Sequence, residues 1–217
     1  MNFVALDIGN VLVHVDFQVF IDALSKQLNL TFEEAEYFMN RTHALHDVGL
    51  TKMADELRDH FKIKSPLLVK ELLISWNTVI KPNFSIINKL IKMKDTCDLQ
   101  IALLSNVGLE HAAQMKQMLG EIFTDSIKHL SCYVGARKPT KLYYQSFLQQ
   151  HPEFYGCAYL DDLQENLNMG AEFGFRPFLF DLSKERYIGD LPTNVYVRNS
   201  KLQEIEQFIL YPNTIGS

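Results

Sequence analysis

The sequence predicts an α/β protein with a doubly wound parallel sheet and a small, all-helical cap inserted after the first strand. Three observations favour this fold class. Short apolar runs alternate with longer amphipathic stretches, as in βαβ proteins. Polar residues stand directly at the ends of several apolar runs. A long helical stretch, residues 7–99, separates the first two predicted strands.

The predicted strands are short apolar runs, as expected for parallel strands that are buried on both faces. They are Phe3–Leu6, Gln100–Leu104, Ile127–Leu130, Cys157–Leu160, Pro177–Phe180 and Asn194–Val197. Ligands of open α/β sheets bind outside the carboxyl ends of the strands. The polar residues that follow three of these runs, Asp7, Ser105 and Asp161, are therefore the first candidates for a site.

The stretch between the first two strands contains helical patterns only. The first helix is predicted at Phe17–Leu28. A second is predicted at Thr31–Asn40, where Thr31 and Glu34 have the spacing of a capping box. Further helices are predicted to begin at Thr51, to follow Pro66 and to span Asn83–Lys94.

This helical stretch is longer than a connection between parallel strands requires. A crossover needs about a dozen residues. We therefore expect residues 15–80 to form a helical cap over a core made of residues 1–14 and 81–217. A structural extension that covers no site is the alternative.

Composition limits the possible partners. The chain of 217 residues has 47% hydrophobic and 22% charged residues, which is typical of a soluble globular protein. A net charge of -5 without a Lys/Arg cluster argues against nucleic acid as a partner. No apolar run reaches the ~18 residues of a membrane span, and the N-terminus lacks the pattern of a signal peptide. Together with three scattered cysteines, read as reduced thiols, this predicts a cytoplasmic protein, which we expect to be a monomer or homodimer.

Two of the four candidate motifs follow the first two strands. Asp7 ends an apolar run and is followed by Gly9, which allows a tight loop with close backbone approach. Ser105 and Asn106 place a hydroxyl and an amide at a strand end, where they could hold an oxyanion. Ser-Asn is also an ordinary turn dipeptide, and many strands end in Asp before a turn.

The other two motifs lie in the second half of the chain. Lys138 precedes Pro139, which we place at the first position of a helix spanning Thr140–Gln150, so that the ammonium could act beside a helix N-terminus. A solvated loop lysine is the alternative. Asp161 and Asp162 repel each other unless a cation meets them, and oxygen ligands favour Mg²⁺. Asn166 could brace this loop.

The order of these motifs along the whole chain resembles that of the haloacid dehalogenase-like (HAD) hydrolase superfamily. The DIGNVLV opening, the helical insertion, the RKP motif and the DDxxxN motif are similar to the branch that contains sugar-phosphate phosphatases and the phosphatase domains of epoxide hydrolases. The resemblance implies a Rossmann-like core and phosphatase activity. Its substrate would be a small phosphorylated metabolite.

The resemblance also assigns roles to individual residues. Asp7 becomes the nucleophile and Lys138 the catalytic charge stabiliser, which also binds phosphate together with Ser105 and Asn106. A Mg²⁺ cofactor would be held by Asp7, the backbone carbonyl of Gly9, Asp161 and Asp162. Three carboxylates outweigh one ammonium, so the metal is needed before an anion can enter.

One position departs from the family pattern. Most phosphatases of this superfamily carry a second Asp two residues after the nucleophile as general acid and base, and this chain has Gly9 there. Such help is typically worth about 10²–10⁴-fold in rate. Asn10, His14 or a cap residue could replace it, and otherwise leaving groups of low pKa are favoured.

Two other functions remain open at this point. A haloacid dehalogenase would use the same nucleophile without metal, but the paired acids and Gly9 argue against it. A silent binding protein with this fold is favoured by Gly9 and opposed by the other motif residues.

In the cap, four residues are candidate substrate contacts: His43, His46, Asp47 and Trp76. We expect Trp76 to pack between helices and the histidines to be surface groups. The polar stretch His43–Gly49 is predicted to interrupt two helices.

Overall fold

The computed structural model describes residues 1–180, 186–188, 195–197 and 199–211. The strands are β1 (Asn2–Leu6), β2 (Val13–Val15), β3 (Ile80–Pro82), β4 (Leu99–Ser105), β5 (Ile127–Leu130), β6 (Ala158–Asp161), β7 (Arg176–Leu179), β8 (Arg186–Ile188) and β9 (Val195–Val197). The helices are α1 (Gln18–Leu28), α2 (Phe32–Asp47), α3 (Met53–Phe61), α4 (Pro66–Asn77), α5 (Phe84–Cys97), α6 (Leu109–Leu119), α7 (Glu121–Asp125), α8 (Ser131–Val134), α9 (Lys141–Gln150), α10 (Gln164–Glu172) and α11 (Asn199–Leu210).

The central sheet has five parallel strands in the order β5-β4-β1-β6-β7, which confirms the doubly wound fold. The chain starts in the middle at β1, winds outward to β5, and returns to the other side through β6 and β7. Five predicted strands are confirmed to within one residue at either end. Continuous apolar runs such as Val4–Leu6 are buried in this sheet, as parallel strands require.

The sixth predicted strand does not join this sheet. Val195–Val197 pairs antiparallel with Arg186–Ile188, and Asn194 lies outside the described residues. The segment between these two strands is too short for a parallel crossover, which needs about a dozen residues, so a local antiparallel pair forms instead.

A second antiparallel pair was missed by the sequence analysis. Val13–Val15 pairs with Ile80–Pro82, so the expectation that residues 7–99 contain no strand is wrong. Each strand has only three residues, which is too short to give a recognisable period. The pair joins the two ends of the helical insertion. The predicted boundaries of the cap, residues 15 and 80, lie in these two strands. The division into core and cap stays a prediction.

Inside the insertion, the capping box that begins α2 is confirmed. The Thr31 hydroxyl accepts from Glu34 N at 3.2 Å, and the Glu34 carboxylate accepts from Thr31 N at 2.8 Å. The predicted end of this helix at Asn40 is wrong, because the helix continues through the polar residues His43 and Asp47. The expected interruption at His43–Gly49 is therefore also wrong. None of the helices in the described ranges is long and apolar enough to cross a membrane.

A buried histidine joins the insertion to the rest of the chain. His46 on α2 is 1% exposed, and its Nε2 lies 2.5 Å from Glu110 Oε2 on α6. Its ring also packs edge-on against Trp76 on α4, at a centroid distance of 5.1 Å. The ring lies so close to Gly108 that a Cβ built on this glycine would be 1.9 Å from His46 Cε1. Gly108 is therefore required by contact with the ring, since its φ of -79° suits any residue.

We expect Gly108→Ala to destabilise the protein by about 1–3 kcal/mol, because overpacking against a buried ring forces a shift. Gly→Ala also lowers the conformational entropy of the unfolded chain, which stabilises the folded state by about 0.4–1 kcal/mol and offsets only part of this cost. Urea unfolding measures the change. The control is the same substitution in a His46→Ala background, where the space is free and the cost should largely vanish. Equal costs in both backgrounds would contradict this explanation.

Candidate active site

The carboxyl ends of three neighbouring strands bring the first motif residues together. Asp7 follows β1, Ser105 ends β4 and Asp161 ends β6, and β1 lies between the other two. The backbone continues this pairing beyond β1, since Asp7 N donates to Leu160 O at 2.8 Å. All three side chains are buried. Parallel pairing therefore gathers residues that are far apart in sequence at one edge of the sheet.

Lys138 lies between two of these acids. Its Nζ is 3.1 Å from Asp7 Oδ1 and 2.6 Å from Asp161 Oδ2, and the side chain is 1% exposed. Burial alone would lower the pKa of Lys138, but Asp161 and Asp7 more than offset this and raise it above its ordinary value. The lysine is therefore a permanent buried cation, and the alternative of a solvated loop lysine is wrong.

The loop around Lys138 differs from the prediction in one detail. Pro139 does not occupy the first position of the following helix, because α9 begins at Lys141 with Thr140 as its N-cap residue. Asn106 instead fixes the loop. Its side-chain Nδ2 donates to Lys138 O at 2.9 Å, and its Oδ1 accepts from Lys138 N at 2.8 Å. The amide thus holds Lys138 in place, and a contact of Asn106 with phosphate would have to use its backbone N–H.

Asp161 is surrounded by hydrogen-bond donors. Its Oδ2 accepts from Lys138 and from the Tyr159 hydroxyl at 2.5 Å, while its Oδ1 accepts from Leu163 N and Asn166 Nδ2, both at 2.9 Å. These four donors hold the carboxylate in one orientation. Asn166 braces the loop in this way. Tyr159 was missed by the sequence analysis because it lies inside an apolar run.

Asp162 is held differently and is only partly buried. It accepts a hydrogen bond from Asn10 Nδ2 at 2.9 Å, and Asn10 Oδ1 accepts from Val15 N at 3.1 Å. Asn10 reaches this position with a left-handed backbone, φ 51°, which asparagine tolerates better than most residues. Both ends of the amide are occupied, so Asn10 acts as a brace between the first loop and Asp162.

The three carboxylates Asp7, Asp161 and Asp162 each offer an oxygen within 4.8 Å of the others. Burial, reinforced by the charges of Asp161 and Asp162, raises the pKa of Asp7 to about 7, against the lowering effects of Lys138 and of a hydrogen bond from Ser105. Burial also raises the pKa of Asp162, and Asp161 adds to this against the hydrogen bond from Asn10. The cluster thus has more negative charge than its surroundings compensate. Clustered carboxylate oxygens are suitable ligands for a hard divalent cation.

A cavity of about 240 Å³ opens beside these residues. Its walls include Asp7, Gly9, Asn10, Asn106, Lys138, Asp162 and Asn166 from the motifs, together with Val15, Phe17, His43, Asp47, Arg137 and Leu163. Ser105 lines a neighbouring small cavity that shares several of these walls. All the predicted site residues except the fully buried Asp161 therefore line one or both of these spaces.

One of the candidate cap residues differs from the expectation. Trp76 is buried between helices as expected, where it packs against Phe17 and Phe20. His46 is not a surface group, because its ring is buried beside Glu110. Asp47 is also buried, and its Oδ2 lies 3.3 Å from Arg137 Nη2. The contribution of Arg137 to the cavity was missed, although it directly precedes Lys138.

Comparison with known proteins supports the fold. No family model matches the chain, and no curated protein matches it. A HAD family enzyme from Bacteroides thetaiotaomicron, crystallised with magnesium and inorganic phosphate, superposes with a TM-score of 0.70 at 17% identity, covering 82% of this chain and 93% of that one. A HAD phosphatase from Thermococcus onnurineus gives a TM-score of 0.61 at 15% identity over 96% and 97% of the two chains.

Two further similar structures carry other activities in their names. A putative β-phosphoglucomutase from Thermotoga maritima gives a TM-score of 0.62 at 15% identity, covering 97% of this chain and 100% of that one. An L-2-haloacid dehalogenase gives a TM-score of 0.56 at 14% identity, covering 82% and 84%. At these identities the comparison establishes the architecture. The chain has the fold of the haloacid dehalogenase-like hydrolase superfamily.

Proposed function

We propose that the protein is a Mg²⁺-dependent phosphomonoester hydrolase that acts through an aspartyl-phosphate intermediate on a small phosphorylated metabolite. The observation that carries this proposal is the convergence of Asp7, Asp161 and Asp162 around the buried ammonium of Lys138. A nucleophile, a fixed cation and an acidic cluster at the carboxyl edge of a parallel sheet are the parts that phosphoryl transfer requires.

The charges of the site explain the need for metal. Three carboxylates surround a single ammonium, so a phosphate dianion would be repelled. Asp7, Asp162 and the backbone carbonyl of Gly9 would hold Mg²⁺, with Asp161 at the same cluster. When bound, the ion supplies two positive charges and polarises the transferring phosphoryl group. Because Asp161 already accepts four hydrogen bonds, its main role would be to position Lys138.

In this reaction a carboxylate oxygen of Asp7 attacks phosphorus, and the bond between phosphorus and the leaving oxygen breaks. The leaving oxygen takes up a proton, and the phosphoryl group stays on Asp7 as an acyl phosphate. Water then attacks this phosphorus, which releases inorganic phosphate and restores the carboxylate. Lys138 would stabilise the charge on the phosphoryl oxygens, and the Ser105 hydroxyl and the Asn106 backbone would orient them.

The side chains near Gly9 restrict what could protonate the leaving oxygen. Asn10 uses both ends of its amide in hydrogen bonds to Asp162 and Val15. His14 lies on β2 and is not among the described residues that line the cavity. Of the candidates from the sequence, only a cap residue therefore remains.

Two observations favour phosphatase over the alternatives. A dehalogenase would not require the acidic cluster at Asp161 and Asp162, since the nucleophilic aspartate attacks carbon without the help of a metal ion. A silent binding protein would not need Lys138 to be held between the proposed nucleophile and Asp161. The similarity of motifs further suggests the sugar-phosphate phosphatase branch.

The test is a phosphate-release screen over sugar phosphates, nucleotides and FMN. We expect release in Mg²⁺, none in EDTA, and recovery when Mg²⁺ is returned in excess, because the acidic site admits an anion only with the ion bound. Halide release from 2-chloropropionate in EDTA serves as the control for the dehalogenase alternative. Phosphate release that is equally fast in EDTA, or halide release without metal, would contradict the proposal.

A further inference from the structure

The cavity contains a buried carboxylate that the proposed mechanism does not use. Asp47 is the last residue of α2, is 1% exposed and lines the same cavity as Asp7. Its Oδ1 lies 3.3 Å from His43 Nε2, and its Oδ2 lies 3.3 Å from Arg137 Nη2. Despite the ion pair with Arg137, Oδ2 makes no hydrogen bond among the described residues.

A buried acceptor without a hydrogen bond is uncommon in folded proteins and calls for a specific explanation. The guanidinium of Arg137 compensates the charge of Asp47, but none of its N–H groups is aligned for a hydrogen bond to Oδ2. Oδ2 can therefore accept a hydrogen bond from another donor. Because Asp47 lines the cavity, a ligand bound beside Asp7 could supply this donor. A hydroxyl group fits this acceptor, since the hydroxyl donates a hydrogen bond without adding charge.

The charged groups around Asp47 offer a second anionic group on the ligand no uncompensated cation. Burial raises the pKa of Asp47 to about 6, with Arg137, His46 and Lys138 lowering it in part, so the carboxylate is mainly ionised at neutral pH. Burial, with the nearby His46 and Arg137, lowers the pKa of His43 to about 4, so this imidazole is neutral. The charges of Asp47 and Arg137 therefore cancel, and this wall of the cavity is polar without net charge.

The cavity also has an apolar wall. Phe17 and Val15 line it, and Phe17 is fixed by a parallel stack on Trp76 at a centroid distance of 5.9 Å. A carbohydrate ring combines hydroxyl groups with apolar C–H faces, and such a face can pack against an aromatic ring. A volume of about 240 Å³ is below the range of drug-sized ligand pockets, which begins at about 300 Å³, and therefore suits a small metabolite.

We propose that Asp47, held by Arg137, accepts a hydrogen bond from a hydroxyl of the leaving group, so that the protein selects phosphate monoesters of small neutral polyols such as hexose monophosphates. This inference rests on the proposed phosphatase function. It assigns Asp47 to substrate recognition and gives Arg137 a positioning role. A hexose bisphosphate, with its second anionic group, should be a poorer substrate than the monophosphate.

The experiment compares kcat/KM for a hexose monophosphate with that for p-nitrophenyl phosphate, whose leaving group has no free hydroxyl. In Asp47→Ala the ratio of the two values should fall about 10- to 100-fold relative to the wild type, because a hydrogen bond to a charged acceptor is lost for one substrate only. In Asp47→Asn, which retains an amide oxygen, the ratio should fall less. Glu36→Ala, an exposed acid on the same helix, is the matched control and should leave the ratio unchanged.

The other outcomes overturn the inference in recognisable ways. Equal losses on both substrates in Asp47→Ala would show that Asp47 is only structural. Unchanged kcat/KM values for both substrates in Asp47→Ala would show that the leaving group makes no contact with Asp47. If the wild type releases phosphate in Mg²⁺ from neither substrate nor from any other compound of the screen, the proposed function itself fails, and this inference fails with it.

Discussion

Replacing Asp7 with asparagine should lower phosphate release by about 10⁴-fold or more while the protein stays folded. The amide has nearly the same shape as the carboxylate but cannot form an acyl phosphate, and the loss of a catalytic nucleophile has effects of this size or larger. The measurement is kcat/KM for p-nitrophenyl phosphate in Mg²⁺, together with detection of phosphate bound covalently to the protein. Wild-type protein should form the phosphorylated species and Asp7→Asn should not.

The same variant should be at least as stable as the wild type in EDTA. Folding raises the pKa of Asp7 from 3.8 to about 7, so the folded state favours the neutral carboxyl, and ionisation above pH 4 costs stability in the absence of metal. Asparagine imitates the neutral form. Asp59→Asn, which changes an exposed acid on α3, is the control and should keep full activity. Retention of more than about a tenth of the wild-type rate by Asp7→Asn would remove Asp7 from its proposed role.

Replacing Lys138 with methionine should impair both stability and catalysis. Methionine fills much of the same space without the charge, which leaves Asp7 and Asp161 buried without their cation. Breaking a buried ion pair in this way costs about 3–5 kcal/mol. The loss of stability should be smaller in Mg²⁺ than in EDTA, because a bound cation compensates the charges of Asp7 and Asp161 and stabilises the folded state. Urea unfolding in the two solutions gives this difference directly.

The rate should also fall, by about 10²–10³-fold, since Lys138 is a fixed positive charge 3.1 Å from the proposed nucleophile. The control is Lys141→Met at the start of α9. Among the residues that the structure describes, this lysine pairs only with Glu172, at 3.5 Å and in an exposed position, so its removal should change stability by less than about 1 kcal/mol. Similar small effects for both lysines would show that Lys138 has no special electrostatic role.

The sequence predicted the sheet well and the insertion less well, for physical reasons. Strands such as Leu99–Ser105 are buried on both faces, so their apolar runs can be recognised without any knowledge of their partners. The pair formed by Val13–Val15 and Ile80–Pro82 depends on a contact between distant segments and has no local signal. The helix α2 continued past Asn40 because the polar residues at its end are buried by tertiary contacts, as His46 is by Glu110.

The candidate site likewise contains residues that could be predicted from the sequence and residues that could not. Asp7, Ser105 and Asp161 could be found because parallel strands bring their carboxyl ends to one edge. Asp47 and Arg137 could not be assigned, since only the folded chain shows that one neutralises the other in the cavity wall. Tyr159 could not be assigned either, because a tyrosine in an apolar run gives no indication that its hydroxyl donates a hydrogen bond to Asp161.

The acidic cluster should receive an anion only when a divalent cation joins Lys138. Calorimetric titration of the wild-type protein with inorganic phosphate tests this expectation, because binding is measured without turnover. We expect phosphate to bind in Mg²⁺ and to bind at least about 100-fold more weakly in EDTA, since two uncompensated negative charges then oppose it. Equal affinity in the two solutions would contradict the account.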